Sequence, residues 1–268
     1  MLRCNLIVTM KNTLFLLPAL LIACTLHAEP VVIGEDDASQ GSYNNGWNGD
    51  TNGGSGFEPW VIMTTREEGT ESNAGLFIAT REGNKDFDET GINDKAFGMY
   101  ANGKSFEVSA AFRQFARPLT AGDTFSFLMK TGPFKTKFDF DSPDTGAIGI
   151  TLRAASGAAK TDDYKTEVRF EFGTYEGQAN YQIYDGETSH DSGIPVSEAP
   201  LTVTFTLVTP DTYELEIMDF ASKKTTKLDP RKLGGAPTTP LVSFCLFDRD
   251  GETHNAYFNG FQIAKPAQ

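Results

Sequence analysis

Alternation of apolar and polar residues with a period of two recurs along this chain and constrains its fold more than any other feature. Each run places apolar side chains on one face of an extended segment and polar side chains on the other, as a half-buried strand requires. No segment sustains the spacing of three and four residues that an amphipathic helix needs. The apolar positions of these runs are Phe97, Met99 and Ala101; Phe125, Phe127 and Met129; Ile148, Ile150 and Leu152; Val168, Phe170 and Phe172; Tyr181 and Ile183; Val203, Phe205 and Leu207; and Tyr213, Leu215 and Ile217.

Turn signals separate the runs and indicate a sheet protein with short connections. Residues 209–212 read Thr-Pro-Asp-Thr, which predicts a tight hairpin with proline at the first corner. The pairs at 185–186 and 102–103 are Asp-Gly and Asn-Gly, which tolerate positive φ. The segment 228–240 is rich in proline and glycine and is predicted to be a loop. We expect an all-β fold with about eleven or twelve strands in a two-sheet antiparallel sandwich, or concanavalin-like jelly roll.

The first 28 residues have the pattern of an export signal. Lys11 gives a short basic start, residues 14–26 are mostly apolar, and Ala28 is a small residue where a signal peptidase cuts. The apolar run is too short for a convincing membrane span. We predict a signal peptide over 1–28 and a single β-sandwich domain over 29–268, secreted or at the cell surface of a bacterium.

A second interpretation of the same region leads to a different attachment. Residues 21–24 read Leu-Ile-Ala-Cys, which resembles a bacterial lipobox in which Cys24 carries lipid. The alternative location is therefore the periplasm or the outer membrane, as a lipoprotein. No apolar tail follows the final strand-like run, so we expect no transmembrane anchor at the C-terminus.

The charge balance limits the partners that the chain can bind. Its formal net charge is −13, and loss of Arg3 and Lys11 with the signal would change it to −15. We expect no nucleic acid partner, because phosphates need Lys and Arg, and no attraction to anionic lipid. Calcium, which prefers oxygen ligands, is a possible cofactor. The alternative is a solvated acidic surface that maintains solubility.

Only one cysteine follows the predicted signal, so the mature domain has no internal disulfide. Cys245 lies in the apolar run 241–247, which predicts a buried and inert thiol.

Two acidic segments are the candidate calcium ligands. The N-terminal segment offers Glu35 and Asp37, and the C-terminal hairpin offers Asp248, Asp250 and Asn255. Alternate carboxylates before a glycine resemble part of a calcium loop. Pairing of the first and last strands would bring the two segments together. The alternative is an ordinary Asp-Gly turn.

A group of aromatic residues offers a candidate sugar site. Tyr43, Trp47 and Trp60 lie close together in the sequence, with Asn52 beside them. Exposed aromatic rings of this kind stack on pyranose rings, and amide groups bind their hydroxyls. The alternative is that the rings point inward and close one end of the sandwich, because large aromatic side chains usually bury most of their area.

Catalytic patterns are weak in this chain. Glu167 and Glu171, on a predicted outward face with Arg169, are about 13 Å apart along a strand, which exceeds the separation that glycosidases use. Glu214 and Glu216 are about 6.6 Å apart, near the lower limit for an inverting enzyme. Glu-x-Glu is also the ordinary pattern of a solvated strand face. The mature chain has two isolated histidines, too few for a three-ligand zinc site.

Several short motifs stand out along the chain. They are DDAS at 36–39; Tyr43 with Gly46-Trp47; Asn-Gly-Gly at 52–54; Gly56-Phe57; Pro59-Trp60; AGLFIAT at 74–80; AFGMYAN at 96–102; AAFRQF at 110–115; LTAGDTFSF at 119–127; and FNGFQI at 258–263. In these motifs the chain resembles a loosely defined group of exported bacterial β-sandwich domains, many of which have a C-terminal sorting anchor. The resemblance implies a concanavalin-like jelly roll and no particular activity. Many members of the group carry that anchor, but we expect none in this chain.

These observations favour a non-catalytic binding or adhesion domain whose partner is an extracellular polysaccharide or glycan, stabilised by calcium. One alternative is a polysaccharide hydrolase or lyase built on the sheet. Another is a structural component of an envelope or matrix.

Overall fold

The computed structural model describes residues 29–65, 73–101, 107–131, 146–186, 188–249 and 255–266. The predicted signal over 1–28 lies outside these ranges. The all-β prediction is confirmed, since the described residues form strands and three short 3-10 helices. The strands are β1 (Val31–Asp36), β2 (Phe57–Thr64), β3 (Ala74–Thr80), β4 (Lys95–Ala101), β5 (Val108–Phe115), β6 (Thr124–Lys130), β7 (Ala147–Arg153), β8 (Val168–Tyr175), β9 (Asn180–Tyr184), β10 (Ser189–Pro195), β11 (Leu201–Thr209), β12 (Thr212–Asp219), β13 (Lys224–Lys232), β14 (Ser243–Arg249) and β15 (Ala256–Lys265).

The described part of the chain has fifteen strands rather than eleven or twelve. The additional strands include β10 and β13, which lie at sheet edges and read SHDSGIP and KTTKLDPRK. An edge strand with few apolar residues leaves little period-two signal in the sequence. For the same reason, the predicted loop 228–240 is a strand as far as Lys232.

The strands form two antiparallel sheets, which confirms the predicted sandwich. One sheet has seven strands in the order β10-β9-β8-β7-β14-β5-β2. The other has eight, in the order β13-β12-β11-β6-β15-β4-β3, with β1 also paired to β15. Strands β1 and β4 pair with successive parts of β15, opposite Phe261–Lys265 and Ala256–Phe258 respectively.

A single core lies between the sheets and is rich in phenylalanine. The alternating apolar residues predicted to face inward are buried there, except Val168 and Ala101, which is buried but lies outside this cluster. Val168 instead lines the outer surface of the seven-stranded sheet, because the register of β7 and β8 shifts between Leu152 and Arg153. The same irregularity buries Arg169, which donates hydrogen bonds to the carbonyls of Gly234 and Thr239. The predicted shared outward face of Glu167, Arg169 and Glu171 is therefore wrong for Arg169.

The outer face of the seven-stranded sheet is partly covered by the connection between β7 and β8. A 3-10 helix at Thr161–Lys165 places Tyr164 on Phe247, with the rings stacked at 4.7 Å and 20°. Cys245 belongs to this smaller cluster and has no exposed surface, so the predicted burial of its thiol is confirmed. This burial raises the pKa of Cys245 well above its usual range.

The predicted turns agree with the structure where it describes them. Thr209 and Thr212 close the hairpin between β11 and β12, and Asp185 and Gly186 follow β9. The predicted Asn-Gly turn at 102–103 falls outside the described ranges. Within those ranges, no helix has the length and hydropathy that crossing a membrane requires.

Candidate functional site

Both tryptophans of the chain lie in residues 35–60, which we call the N-terminal clasp, and both are buried. Trp60 is 0% exposed and Trp47 is 3% exposed. Their rings meet edge to face with centroids 5.1 Å apart, and both also contact Phe97. Rings enclosed in this way offer no free face to a sugar. The inward-packing alternative therefore describes Trp47 and Trp60.

Tyr43 is a buried hydrogen-bond centre of the clasp. Its hydroxyl donates to Asp36 Oδ2 at 2.6 Å and accepts from Trp60 Nε1 at 2.9 Å and from the Gly53 amide at 3.2 Å. Burial raises the pKa of the Tyr43 hydroxyl above its usual value. The side chain that we predicted to contact a ligand thus holds the clasp together.

Arg113 on β5 is the main partner of the clasp. Its guanidinium forms an ion pair with Asp36, and neither side chain has exposed surface. Nη2 donates to Asn52 Oδ1 and to the Gly53 carbonyl, both at 2.8 Å, and Nε donates to the Glu58 carbonyl at 2.9 Å. Asn52, predicted as a ligand-binding amide, therefore has its oxygen directed at Arg113.

Sequence reasoning missed this role of Arg113, although one signal was present. Arg113 lies between Ala111 and Phe115 at alternate positions, so it interrupts the inward face of β5. A charged residue at a core position needs a buried partner. Burial raises the pKa of the Asp36 carboxyl, whereas the Arg113 charge and the Tyr43 hydroxyl act in the opposite direction.

Gly54 allows the clasp to approach β1 closely. Its φ is +66°, in the region that favours glycine, and a Cβ built there would lie 1.9 Å from the Glu35 carbonyl oxygen. Ser55 and Glu35 exchange two backbone hydrogen bonds next to it, at 2.8 and 3.0 Å. The glycine content of this stretch thus reflects close packing of backbone.

The predicted calcium ligands do not come together in the described residues. Asp37 accepts hydrogen bonds from the Ser39 amide and the Gln40 side chain, and Glu35 is exposed on β1. Asp248 lies on β14 of the other sheet and has 0% exposure.

The register of the first and last strands explains the separation. These strands do pair, but Asp36 lies opposite Phe261. Five residues of β15 then separate Asp36 from the start of the strand, roughly 16 Å at the usual rise. Asn255, just before β15, donates to the Tyr257 hydroxyl at 3.1 Å. The N-terminal acids therefore lie well away from the start of β15, where Asn255 is found.

Among the described residues, no group of three or more His, Cys, Asp or Glu side chains is placed to hold a metal ion. Asp250 lies outside those residues. The calcium prediction consequently has no support from the described geometry, and its Asp250 component stays a prediction.

A cavity on the outer face of the seven-stranded sheet, which we call the outer cavity, combines aromatic and polar groups. Its volume is about 530 Å³. Tyr164 and Phe247 are buried, whereas Tyr175 and Tyr184 are half-buried. The other lining residues are Ala147, Lys165, Val168, Glu171, Glu176, Gln178, Gln182, Ser189 and Arg249.

Two glycines at paired positions allow the backbones of β7 and β8 to approach closely on this face of the sheet. Gly149 on β7 pairs with Gly173 on β8, and both alternate with core residues. A Cβ added at Gly149 would lie 3.1 Å from the Phe247 ring and 3.0 Å from Gly173 Cα. A side chain at either position would also collide with a backbone carbonyl of the neighbouring strand, at 2.6 Å from Gly149 and 2.5 Å from Gly173.

Glu171 on β8 is one of the two carboxyl groups among the residues that line the outer cavity. The Tyr175 hydroxyl donates a hydrogen bond to it, and Tyr184 is its partner on β9. Burial raises the pKa of Glu171 to about 7, against the opposing effects of Arg249 and Lys165. Near neutral pH this carboxyl can therefore donate or accept a hydrogen bond.

Local hydrogen bonds position the helix that lines the cavity. The Asp163 carboxylate accepts the amide protons of Ala159 at 2.6 Å and Lys160 at 3.1 Å. These bonds hold the pKa of Asp163 below its usual value. The helix start is thereby fixed, and the two residues that follow Asp163 are presented to the cavity.

From the sequence, Glu171 was placed on an outward strand face with Glu167 and Arg169. The tyrosines of the cavity were not identified. Glu171, Gly173 and Tyr175 alternate on β8, and that alternation was visible. The contributions of Tyr164 and Arg249 were not visible, because they come from the short helix before β8 and from β14, outside the alternating pattern of β8.

A second cavity of about 570 Å³ is a weaker candidate. It is lined by Leu119, Thr120, Ala121, Leu207, Pro210, Asp211, Pro237, Thr238, Thr239, Pro240 and Leu241. This lining offers one charged side chain and no aromatic ring. It lacks the combination of groups that orients a polar ligand.

The other acids weighed for catalysis lie elsewhere. Glu214 on β12 pairs with Lys227 at 2.8 Å on the eight-stranded sheet, and Glu216 is on the same strand. The solvated-face interpretation fits this pair. His190 lies 3.2 Å from Asp185, and His254 is outside the described residues.

Comparisons with known proteins extend to the fold level only. No protein-family profile matches the chain, and no curated protein matches it. Among solved structures, it is similar to the lectin UEA-II complexed with galactose, at 10% identity and a TM-score of 0.45, over 77% of this chain and 99% of the other. It is also similar to the carbohydrate esterase vb_24B_21 from the Shiga toxin-encoding bacteriophage phi24B. The identity is 12% and the TM-score 0.45, over 89% of this chain and 100% of the other.

A third similar structure is the Ca²⁺-bound exoplasmic/lumenal domain of VIP36, at 5% identity and a TM-score of 0.43, over 78% and 84% of the two chains. Scores and identities at this level carry no argument about activity. The assignment of this chain to the all-β sandwiches therefore rests on its own two sheets.

Proposed function

We propose that this protein is an exported carbohydrate-binding domain and that its ligand occupies the outer cavity. The observation that carries the proposal is the meeting of half-buried tyrosine rings with charged and amide side chains in one depression of about 530 Å³. Pockets of this size, with apolar walls and a few polar groups, are typical of ligand sites.

The lining suits the chemistry of a sugar. A pyranose ring has an apolar face of C–H groups, which an aromatic ring can cover, and a rim of hydroxyls that need hydrogen-bond partners. Tyr175 and Tyr184 are half-buried, so part of each ring faces the cavity. Glu171, Gln182 and Arg249 provide acceptors and donors beside them.

The geometry favours binding over hydrolysis. Glu171 and Glu176 are the carboxyl groups among the lining residues. They are five residues apart, roughly 16 Å in extended chain, beyond the 6.5–9.5 Å range of inverting glycosidases. Glu176 also accepts a hydrogen bond from the Gly146 amide at 3.2 Å, which fixes it near the end of β8.

One observation supports the enzymatic alternative, namely the raised pKa of Glu171 beside the Tyr175 hydroxyl. Groups with shifted pKa values in clefts are frequent in active sites. In a lyase, this pair would transfer a proton. Chromatography of the sugar after prolonged incubation distinguishes the two: a binding domain returns it intact, whereas a lyase shortens it.

Export is part of the proposal and has its own test. The basic start, apolar run and Ala28 support cleavage before Glu29. Mass spectrometry of the protein from its native host should give a mature N-terminus at Glu29. A diacylglyceryl group on Cys24 would establish the lipoprotein alternative.

A glycan array of neutral and acidic oligosaccharides, followed by calorimetry on the hits, tests the site. Tyr184→Ala should weaken binding of a hit by about tenfold or more, since it removes an aromatic contact. The matched control is Tyr100→Ala, a half-buried tyrosine on β4 of the other sheet. Equal affinities for the two variants would place the ligand outside the outer cavity, and a blank array would contradict the proposed function.

A further inference from the structure

The outer cavity contrasts in charge with the rest of the molecule. The chain has a formal net charge of −13, yet two cationic side chains, Lys165 and Arg249, lie in this one depression. An acidic protein repels anions over most of its surface. A local cationic spot is therefore where an anionic group can approach.

The two cations converge on a single tyrosine. Lys165 Nζ lies 5.2 Å from the centre of the Tyr164 ring, and Arg249 Nη1 lies 3.4 Å from the Tyr164 hydroxyl oxygen. Tyr164 itself is held by its stacking on Phe247. The ammonium and guanidinium groups are thus carried by a rigid platform. Such preorganisation lowers the entropic cost of binding.

Two carboxyl groups, those of Glu171 and Glu176, are also among the residues that line the cavity. Glu176 is bonded to the Gly146 amide. Burial raises the pKa of Glu171 to about 7, so below that pH its carboxyl is mostly neutral and can donate a hydrogen bond. The titratable or charged groups around Glu171 are Tyr175 on β8, Tyr184 on β9, Cys245 and Arg249 on β14, and Tyr164 and Lys165 of the short helix.

The geometry points to an acidic carbohydrate as the ligand of the outer cavity, with its carboxylate or sulfate group between Lys165 and Arg249 and its ring against Tyr175 and Tyr184. This inference rests on the proposed function and narrows its ligand class. Guanidinium groups bind carboxylate and sulfate oxygens by paired hydrogen bonds. Deprotonation of Glu171 places a negative charge beside that group, so affinity falls as pH rises through about 7.

The test is calorimetry with four probes at pH 6 and pH 8. They are an oligogalacturonate, its methyl ester, a sulfated galactan oligosaccharide and its desulfated form. At pH 6 we expect an acidic probe to bind about tenfold or more tighter than its neutral counterpart, because hydrogen bonds to charged groups are the stronger ones. A preference confined to one acidic probe identifies carboxylate or sulfate as the group recognised.

Three variants connect the preference to the cavity. Lys165→Gln should weaken binding of the acidic probe by about two- to fivefold, as expected for an exposed charge. Its affinity for the neutral probe should be unchanged. Lys227→Gln, an exposed lysine on β13 of the other sheet, is the matched control and should change neither. Glu171→Gln should make binding of the acidic probe nearly independent of pH between 6 and 8.

The outcomes separate this inference from the function on which it rests. Equal binding of acidic and neutral probes overturns the acidic-ligand inference and leaves carbohydrate binding in place. An acidic preference that Lys165→Gln and Glu171→Gln do not alter also overturns it. If none of the four probes binds and the glycan array is blank, both the inference and the proposed function are contradicted.

Discussion

Asp36 and Arg113 form an ion pair between the two sheets of the sandwich, and neither side chain has any exposed surface. Asp36 ends β1 of the eight-stranded sheet, and Arg113 lies on β5 of the seven-stranded sheet. Two charges removed from water depend on each other, because each would otherwise be left without a partner in the core. This pair is the centre around which the N-terminal clasp is folded.

Replacement of Arg113 should therefore be severe. Arg113→Met leaves the Asp36 carboxylate without its counter-ion and should lower the free energy of unfolding by about 3–5 kcal/mol. Urea denaturation followed by tryptophan fluorescence measures the change, since both tryptophans lie in the clasp. Arg81→Met is the control. Arg81 pairs with Asp88 and Asp94 in an exposed position, so its replacement should change the free energy of unfolding very little. Similar losses for both variants would contradict the central role of the pair.

A matched pair of glycines tests the close approach of the clasp to β1. Gly54→Ala should cost about 2 kcal/mol or more, since its Cβ would collide with the Glu35 carbonyl at a positive φ. Gly49→Ala, in the same clasp, meets nothing within 4 Å and should be neutral or slightly stabilising. Melting temperatures of the two variants give the comparison. A Gly54→Ala protein as stable as Gly49→Ala would show that the backbone there can move apart at little cost.

The pKa of Glu171 predicts a specific pH dependence of stability. The folded-state pKa is raised from 4.5 to about 7, so the folded protein binds this proton more tightly than the unfolded chain. Stability from this group is therefore present at low pH and is lost as pH rises from about 4.5 to 7. The loss should be about 2 kcal/mol, less than the whole shift implies because the carboxyl is only half-buried.

The wild type compared with Glu171→Gln isolates this contribution. The variant should gain stability relative to the wild type between pH 4 and pH 8, as measured by urea denaturation at each pH. Glu214→Gln, which alters a carboxylate on the other sheet, provides the control and should not show this gain. A stability difference for Glu171→Gln that is constant with pH would argue against the raised pKa.

Asp185 predicts the opposite pH dependence. Its carboxylate accepts hydrogen bonds from Tyr213 at 2.6 Å and from Arg231 at 2.6 and 3.2 Å, which joins the end of β9 to β12 and β13. Burial acts to raise its pKa, but these bonds together hold the pKa below its usual value. The stabilisation is present above the unfolded-state pKa of about 4 and is lost as pH falls through the lower folded-state value.

Asp185→Asn should accordingly cost about 2–4 kcal/mol near pH 7, because it removes the charge from a hydrogen-bonded ion pair. The difference from the wild type should shrink as the pH falls below about 4. Asp229→Asn, an exposed change on the same strand as Arg231, should have little effect at any pH. Equal effects of the two variants at pH 7 would show that Asp185 contributes no more to stability than a surface carboxylate does.

The sequence contained enough information for the class of fold but not for the pairing of its strands. Runs such as Phe125, Phe127 and Met129 show which residues face the core, since alternation is a local property. Polar edge strands such as β10 leave no such pattern. The shift beside Val168 was also invisible, because a bulge depends on the neighbouring strand and not on the residue alone.

The candidate site was less predictable for the same physical reason. Trp47 and Trp60 were conspicuous by residue type, but type does not tell whether a ring faces a core or the solvent. The outer cavity brings together Glu171 and Arg249, which are far apart in the chain, with Tyr164 of the short helix before β8. Glu171 and Arg249 share one face of the sheet because β7 pairs with both β8 and β14.

The position of β15 has a consequence for the time at which this protein can fold. This last strand lies inside the eight-stranded sheet, where it pairs with β6 on one side and with β1 and β4 on the other. Val31 pairs with Lys265, so β1 gains this strand partner only after β15 has been synthesised. Contacts between such distant residues slow folding. We expect the eight-stranded sheet to be completed only after β15 has been synthesised, because β1 and β4 both pair with it.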